Sequence, residues 1–234
     1  MDLVYPPHCL LCRVPLFPSE PTEWLCPACR DLIRPNHPPY CLYCSMPLSS
    51  QQHHICARCR NNPPVFDQVW SALQYNDPLR HLLHAYKYGR NLAVGRFLRT
   101  ELTEFIHTSR LPLKTFDVII PVPLHPARMR ERGFNQSLIL AEHISRTSRI
   151  PVRTDLVKRV IHTPNQARLT PKQRWTNLRD AFRIIHKYIF INRNILIVDD
   201  VITTGATMSA LAALLHQQGA RRICGLTAAV AVKP

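Results

Sequence analysis

At 234 residues the chain is long enough for one α/β domain plus a small module, and 46% hydrophobic residues can fill a core, which excludes a disordered protein. No run of about 18 apolar residues occurs, and the N-terminal MDLVYPPHCLLC has neither a basic leader nor a small-residue cleavage site; the expectation is a cytoplasmic protein with no membrane insertion. The formal net charge of +15 points to a polyanionic ligand: a phosphorylated metabolite, a nucleic acid, or both.

Four Cys-x-x-Cys pairs come first: Cys9/Cys12, Cys26/Cys29, Cys41/Cys44 and Cys56/Cys59. With no route to an oxidising compartment, paired thiols at this spacing favour metal over cystine. Each pair places two thiolates on one tight turn, and two such turns complete a tetrahedral Cys₄ zinc site. Pairing in chain order (Cys9, Cys12, Cys26, Cys29, then Cys41, Cys44, Cys56, Cys59) needs the shorter loop closures. All eight thiols being ligands leaves no open coordination position, so two structural zinc ions are expected. His8, His53 and His54 are read as bystanders, and Cys224 as a small core residue. This proline-rich segment is expected to need metal to fold, and Asn61-Asn62-Pro63-Pro64 marks its end, giving units at residues 1–64 and 65–234.

The charge is unevenly shared. Residues 1–64 hold five arginines, no lysine and four acids, and two Cys₄ zinc sites would lower the total charge to about +11. Basic residues are densest from Arg128 to Arg193, where 15 stand against Glu131, Glu142, Asp155 and Asp180.

Past the boundary, Val65 to Tyr75 reads as a strand or hairpin arm. Asp77-Pro78 supplies an N-cap and an N1 proline for a helix with Leu79, Leu82, Leu83 and Tyr86 on one face and Gly89 at its stop. A helix over Leu92 to His107 follows, then a buried strand over Asp117 to Pro123, a helix after Gly133 and a strand over Asp155 to Ile161. Thr170-Pro171-Lys172-Gln173 carries a capping-box pattern that starts a short helix. Asn194 to Val198 is a buried strand, Thr204 to Gln218 a helix stopped by Gly219, and Ile223 to Val232 a last strand. Alternating strands and helices predict an α/β domain, a mainly parallel sheet with helices on both faces.

Ligands of such sheets bind beyond the carboxyl ends of the strands, where Asp199 and Asp200 stand. The turn after them, Thr203-Thr204-Gly205-Ala206-Thr207 at a helix start, offers amides, hydroxyls and a positive dipole end, which suit a phosphate. The two aspartates would repel that phosphate, and are better placed to accept hydrogen bonds from sugar hydroxyls or to ligate Mg²⁺. A phosphorylated ribose satisfies both halves. The bland alternative is a capped helix start, but two carboxylates and three threonines around a glycine exceed one cap. No Gly-x-x-x-x-Gly-Lys-Ser/Thr occurs, which argues against a nucleoside triphosphatase.

Four hydrophobics, Asp-Asp, two residues and Thr-Thr-Gly-x-Thr resemble the phosphoribosyl pyrophosphate (PRPP) motif of type I phosphoribosyltransferases. Four further features make the resemblance specific: the cysteine pairs, His84-Ala85-Tyr86-Lys87-Tyr88-Gly89, PVPLHPARMRERGFNQ (Pro121 to Gln136), and Thr163-Pro164-Asn165-Gln166 leading to Arg174, Asn177 and Ala181-Phe182. Together they resemble the ComF/GntX family of competence-associated, phosphoribosyltransferase-like proteins over nearly the whole chain.

The resemblance implies a type I phosphoribosyltransferase-like fold behind an N-terminal double zinc ribbon. It implies that Asp199 and Asp200 face the ribose hydroxyls, with Mg²⁺ held alongside PRPP, in the catalytic position. Val201, Ile202, Thr203, Thr204, Gly205, Ala206 and Thr207 would complete the PRPP turn. Val122, Pro123, Leu124 and His125 would form the pyrophosphate loop, with Lys87, Arg128, Arg130 and Arg132 as cations. Arg128 to Arg132 can equally be a solvated charge run, but its place after a buried strand favours ligand contact.

Three functional readings stay open on the sequence. One is an enzyme transferring phosphoribose to an unidentified acceptor; another is a non-catalytic protein that keeps the fold and binds single-stranded DNA through the basic face of residues 128–193, alongside other competence proteins. The third is a nucleotide-salvage phosphoribosyltransferase. Aromatics are only 8% of the chain, which counts against stacking platforms for DNA.

Overall fold

The computed structural model of the chain describes residues 7–16, 24–50, 54–89, 91–161, 180–186 and 189–232. In chain order the elements are α1 (Pro27–Arg30), α2 (Ala57–Asn61), β1 (Gln68–Tyr75), α3 (Asp77–Tyr88), α4 (Leu92–Thr108), β2 (Val118–Pro121), α5 (Pro126–Arg132), α6 (Gln136–Ser148), β3 (Val157–Arg159), β4 (Phe182–Ile184), β5 (Asn194–Ile202), α7 (Ala206–Gln217) and β6 (Arg222–Ala231). The predicted capping-box helix at Thr170, the Thr163-Pro164-Asn165-Gln166 motif, Arg174 and Asn177 lie outside the described residues. Among the described residues no helix is long and apolar enough to cross a membrane.

Strands β1, β6, β5 and β2 stand side by side in that order, all parallel, as the alternating pattern predicted. Both faces are covered. Leu196 and Val198 of β5 pack in one core with Leu82 and Leu83 of α3, Leu98 of α4 and Leu140 of α6. Ile195 and Ile197 point the other way, into a second core with Met208, Leu211 and Leu215 of α7. Doubly covered strands need continuous apolar runs, which is what β2 and the first half of β5 are.

Strand β5 continues to Ile202, four residues past the predicted end at Val198, because β6 continues beside it: Asp199 pairs with Thr227, Val201 with Ala229 and Ile202 with Val230. Isolated aspartates disfavour strands, and the partner strand overrides that preference. The aspartate pair therefore sits on a hydrogen-bonded strand end rather than in a free loop. Helix α3 starts as expected except that Asn76, not Asp77, is its cap, accepting from the Leu79 amide at 3.2 Å. Helix α7 begins at Ala206 behind Gly205, whose φ of 77° lies in the left-handed region. The predicted strand from Asp155 shortens to β3, which pairs antiparallel with β4 in a separate ribbon.

The sheet edges are closed by chain from elsewhere, which removes unpaired backbone. Beyond β1, Asn36 N–H donates to Ala72 at 2.8 Å and Gln74 N–H to Arg34 at 2.8 Å. Beyond β2, Ile119 N–H donates to Pro151 at 2.9 Å. The Cys-rich module is thus stitched to β1, and its Cys9, Leu25 and Ile33 belong to the same core as Trp70 and Leu79.

Candidate functional site

The eight paired cysteines gather into two groups in chain order, Cys9, Cys12, Cys26, Cys29 and Cys41, Cys44, Cys56, Cys59, each with its sulfurs within 4.8 Å of one another. Tetrahedral zinc with Zn–S bonds of about 2.3 Å holds its sulfurs about 3.8 Å apart. Cys12 and Cys26 Sγ lie 3.6 Å apart, and Cys44 and Cys56 Sγ 3.8 Å apart, so both groups fit the ion. These are two Cys₄ zinc-binding sites of the structural kind, each closed by four thiolates. The second is entirely buried, whereas Cys12 of the first is exposed. Cys224 is a core residue whose thiol burial pushes up to about 11.

At the carboxyl end of β5, Asp199 and Asp200 take different partners. Asp199 Oδ1 accepts from the Ser137 hydroxyl at 2.8 Å and from the Asp200 amide at 2.9 Å. Asp200 carries an ion pair with Lys87 Nζ, delivered by the last turn of α3. Burial and the adjacent Asp200 carboxylate push the Asp199 carboxyl up to about 7, against the Ser137 bond and Lys87. Burial raises the Asp200 carboxyl too, but Lys87 outweighs it and leaves the net shift downward. Burial works to discharge Lys87, and Asp200 and Asp199 reverse that, raising it above the ordinary lysine value. Tyr86, fully buried on the same helix, has its phenol raised by burial and by Asp200. The site is therefore an acid pair whose two carboxyls are shifted in opposite directions, Asp199 up and Asp200 down, beside one ammonium.

The turn that follows has exposed Thr203, then Gly205 and Ala206 buried. A methyl group on Gly205 would lie 3.4 Å from the Phe66 ring. Thr204 Oγ1 accepts from the Ala206 amide at 3.4 Å. Arg58, from the Cys-rich module, donates from Nη1 to the Thr203 carbonyl at 2.7 Å.

The 122–125 loop extends from β2 and is fixed at both ends. Val122 N–H donates to Val198 at 2.9 Å, and its carbonyl accepts from Asn135 Nδ2 at 3.1 Å. Asn135 also caps α6, taking the Ser137 amide at 3.0 Å, and so couples this loop to the residue that holds Asp199. His125 Nδ1 accepts from the Ala127 amide at 3.2 Å and caps α5. A cavity of about 620 Å³ opens beside the loop, lined by Pro123, Leu124, His125, Met129, Lys158 and Arg159.

The three predicted arginines are split. Arg132 donates to Gln136 Oε1 at 3.0 Å, and its guanidinium lies 5.3 Å from the Tyr88 ring centre. Arg128 pairs with Glu131 at 2.8 Å, and Arg130 is exposed. The wider basic stretch also divides. Arg132 and Arg159 stand near the aspartates, with Arg128 beside Arg159, whereas Arg146 and Arg149 lie toward the far end of α6, about 15–20 Å along its axis. Asn135 lies within the Pro121–Gln136 motif but without an assigned role, and Ser137, Phe66 and Arg58 carry no sequence signal of their own; the roles of all four come from contacts across the fold.

A double zinc ribbon family model matches residues 1–60, and a phosphoribosyl transferase domain model matches residues 135–232. The fold is the type I phosphoribosyltransferase-like one, with a parallel sheet covered on both faces. Over 224 residues the chain is 34% identical to the DNA utilization protein YhgH of Shigella flexneri, covering 94% of this chain and 96% of that one. It is 35% identical over 171 residues to Competence protein F of Haemophilus influenzae, covering 72% and 75% respectively. To Competence protein ComFC of Bacillus subtilis it is 27% identical over 210 residues, covering 87% of this chain and 82% of that one.

Proposed function

The chain belongs to the ComF/GntX family of competence-associated, phosphoribosyltransferase-like proteins, and from that premise we propose that it binds PRPP with Mg²⁺ and serves the handling of incoming single-stranded DNA in the cytoplasm. The observation that carries the reading is the convergence, at one strand end, of the Asp199–Asp200 pair, Lys87 and the Thr203–Thr207 turn. In this proposal residues 1–64 are a structural zinc module and residues 65–234 hold the ligand.

Each part of the chain has a task that its chemistry suits. Asp199 and Asp200 accept hydrogen bonds from the ribose hydroxyls. The amides and hydroxyls from Thr203 to Thr207, at the start of α7, hold the 5-phosphate. The 122–125 loop takes the pyrophosphate, with Arg132 alongside, and Lys87 moves its charge from Asp200 to the arriving anion. The two carboxylates are hard oxygen donors that fit Mg²⁺, which when bound neutralises charge on the pyrophosphate. Fixed donors and cations around a leaving pyrophosphate are also what phosphoribosyl transfer needs. The DNA role is supported by the relatives' names and by the net charge of +15.

Calorimetric titration with PRPP and Mg²⁺ tests the reading on the wild type and on Asp199→Asn/Asp200→Asn. Binding by the wild type that the double variant loses is expected; equal heats from the two proteins would sink it.

A further inference from the structure

The second zinc site lies close to the phosphate turn, and one side chain joins them. Helix α2 has five residues, far too few to stand alone, since the first turn of a helix is unfavourable to nucleate. Its cap is Cys56, whose Sγ accepts from the Cys59 amide at 3.4 Å, so both ends of the turn are zinc ligands. Arg58 lies between those two ligands in sequence and Cys41 and Cys44 close the same group, so an ion bound there would fix the backbone from which its side chain leaves.

That side chain reaches the turn and donates from Nη1 to the Thr203 carbonyl at 2.7 Å. Among the described residues the cis peptide bond is Pro38–Pro39, so the Thr203–Thr204 peptide is trans. In a trans peptide the carbonyl and the following N–H point in opposite directions. Holding Thr203 O toward the module therefore aims the Thr204 N–H away from it. Among the described residues no backbone carbonyl takes the amides of Thr203, Thr204 or Gly205. Two further contacts brace the arrangement. Phe66, which follows α2, lies under Gly205, and Val69 N–H donates to Tyr43 O at 2.7 Å, locking the second ribbon to β1.

The first zinc site is built differently. Cys12 is exposed, Cys26 is half-buried, and among the described residues no hydrogen bond runs from this group's turns to residues 203–207.

We propose that the two zinc ions have different jobs: the first staples the N-terminus, whereas the second, through Arg58 as a positioning residue, holds the phosphate turn in its ligand-ready shape. The functional half of this rests on the PRPP reading above; the structural half does not.

The experiment uses the full chain with zinc content measured alongside. In ¹⁵N relaxation, the wild-type amides of Thr203, Thr204 and Gly205 are expected to show order parameters of about 0.85, falling below about 0.6 in Arg58→Ala while two zincs per chain are retained. Unchanged order parameters in that variant would overturn the proposal. Should Arg58→Ala lose zinc, graded chelation of the wild type decides, with alkylation of the released thiols mapped by mass spectrometry. Release at Cys12 and Cys26 is expected to leave the turn rigid, and release at Cys44 and Cys56 to loosen it; loosening with the first release overturns the assignment. PRPP affinity is expected to fall at least tenfold in Arg58→Ala, with partial rescue in Arg58→Lys and no change in the melting midpoint. A wild type that binds no PRPP would refute the functional reading above, while the order parameters would still decide the role of the zinc.

Discussion

Lys87 of α3 and Asp200 of β5 form an ion pair with side chains only 23% and 11% exposed, so each charge depends on the other. Removing one partner of a largely buried pair leaves the other uncompensated. Lys87→Met is therefore expected to cost about 2 kcal/mol of stability and lower the melting midpoint by about 4–8 °C. Adding Asp200→Asn should recover part of that loss, a coupling that thermal melts of the double-mutant cycle read directly. A double variant no more stable than Lys87→Met would show that the pair is not coupled.

Asp199 gives the site a pH dependence with a definite sign. Its folded pKa, about 7, lies above its ordinary value of 3.8, so the protonated form is favoured by folding. The stability from that preference is full below the ordinary value and is lost as pH rises toward about 7. Asp199→Asn, which cannot ionise but still accepts from Ser137, should gain melting temperature relative to wild type across that window. The opposite trend holds for ligand: Mg²⁺ with PRPP should bind more tightly as pH rises to about 7 and level off above it, with proton release seen by calorimetry in buffers of different ionisation heat.

Gly205→Ala should damage the turn selectively. The residue sits at φ 77°, where any side chain is strained, and the new methyl would lie 3.4 Å from the Phe66 ring. A cost of about 1–2 kcal/mol is expected from the backbone alone. PRPP affinity should fall further than stability does, as calorimetry and thermal melts on one preparation can show.

Elemental analysis should find two zincs per chain. Cys44→Ser strikes a fully buried ligand in the core that also holds Phe66, Val69 and Ile195. Zinc binding supplies roughly 10–16 kcal/mol in small Cys-rich modules, comparable with the whole stability of about 5–15 kcal/mol of a domain. This variant should yield little soluble protein, whereas Cys12→Ser, at an exposed ligand, should fold and keep the second zinc.

Binding to single-stranded DNA, followed by fluorescence anisotropy, should weaken steeply with added salt, as phosphate contacts require. Because the described basic residues divide between the two ends of the sheet, Arg146→Glu/Arg149→Glu and Arg128→Glu/Arg132→Glu should differ in effect. Only the pair on the DNA path should reduce the salt slope, and salt-insensitive affinity would remove the electrostatic reading.

What was legible in the sequence is what short-range chemistry encodes. The spacing of Cys9 to Cys59 announced two zinc sites, because a Cys-x-x-Cys turn presents its thiolates whatever surrounds it, while their pairing was favoured only by the shorter loop closures and was decided by the fold. The apolar run of β5 ending in Asp199 placed the site at a strand end, because a doubly covered strand cannot be polar inside. The end of that strand was not legible: Asp199 to Ile202 pair only because Thr227 to Val230 lie beside them. Nor could the helix pattern separate Asn76 from Asp77 as the cap, since both residues are good ones.

The partners of the acid pair belong to the tertiary structure alone. Ser137 reaches Asp199 because Asn135 starts α6 against the 122–125 loop, and Lys87 reaches Asp200 because α3 packs across the sheet. Arg58, read within the sequence as one more charge in a Cys-rich segment, is carried to Thr203 by a turn that the zinc ligands hold. Periodicity and motif spacing report a residue's own element, because they arise from bonds a few residues long. Which side chains meet between elements depends on how the sheet and the zinc module pack, and that is set by the whole core at once.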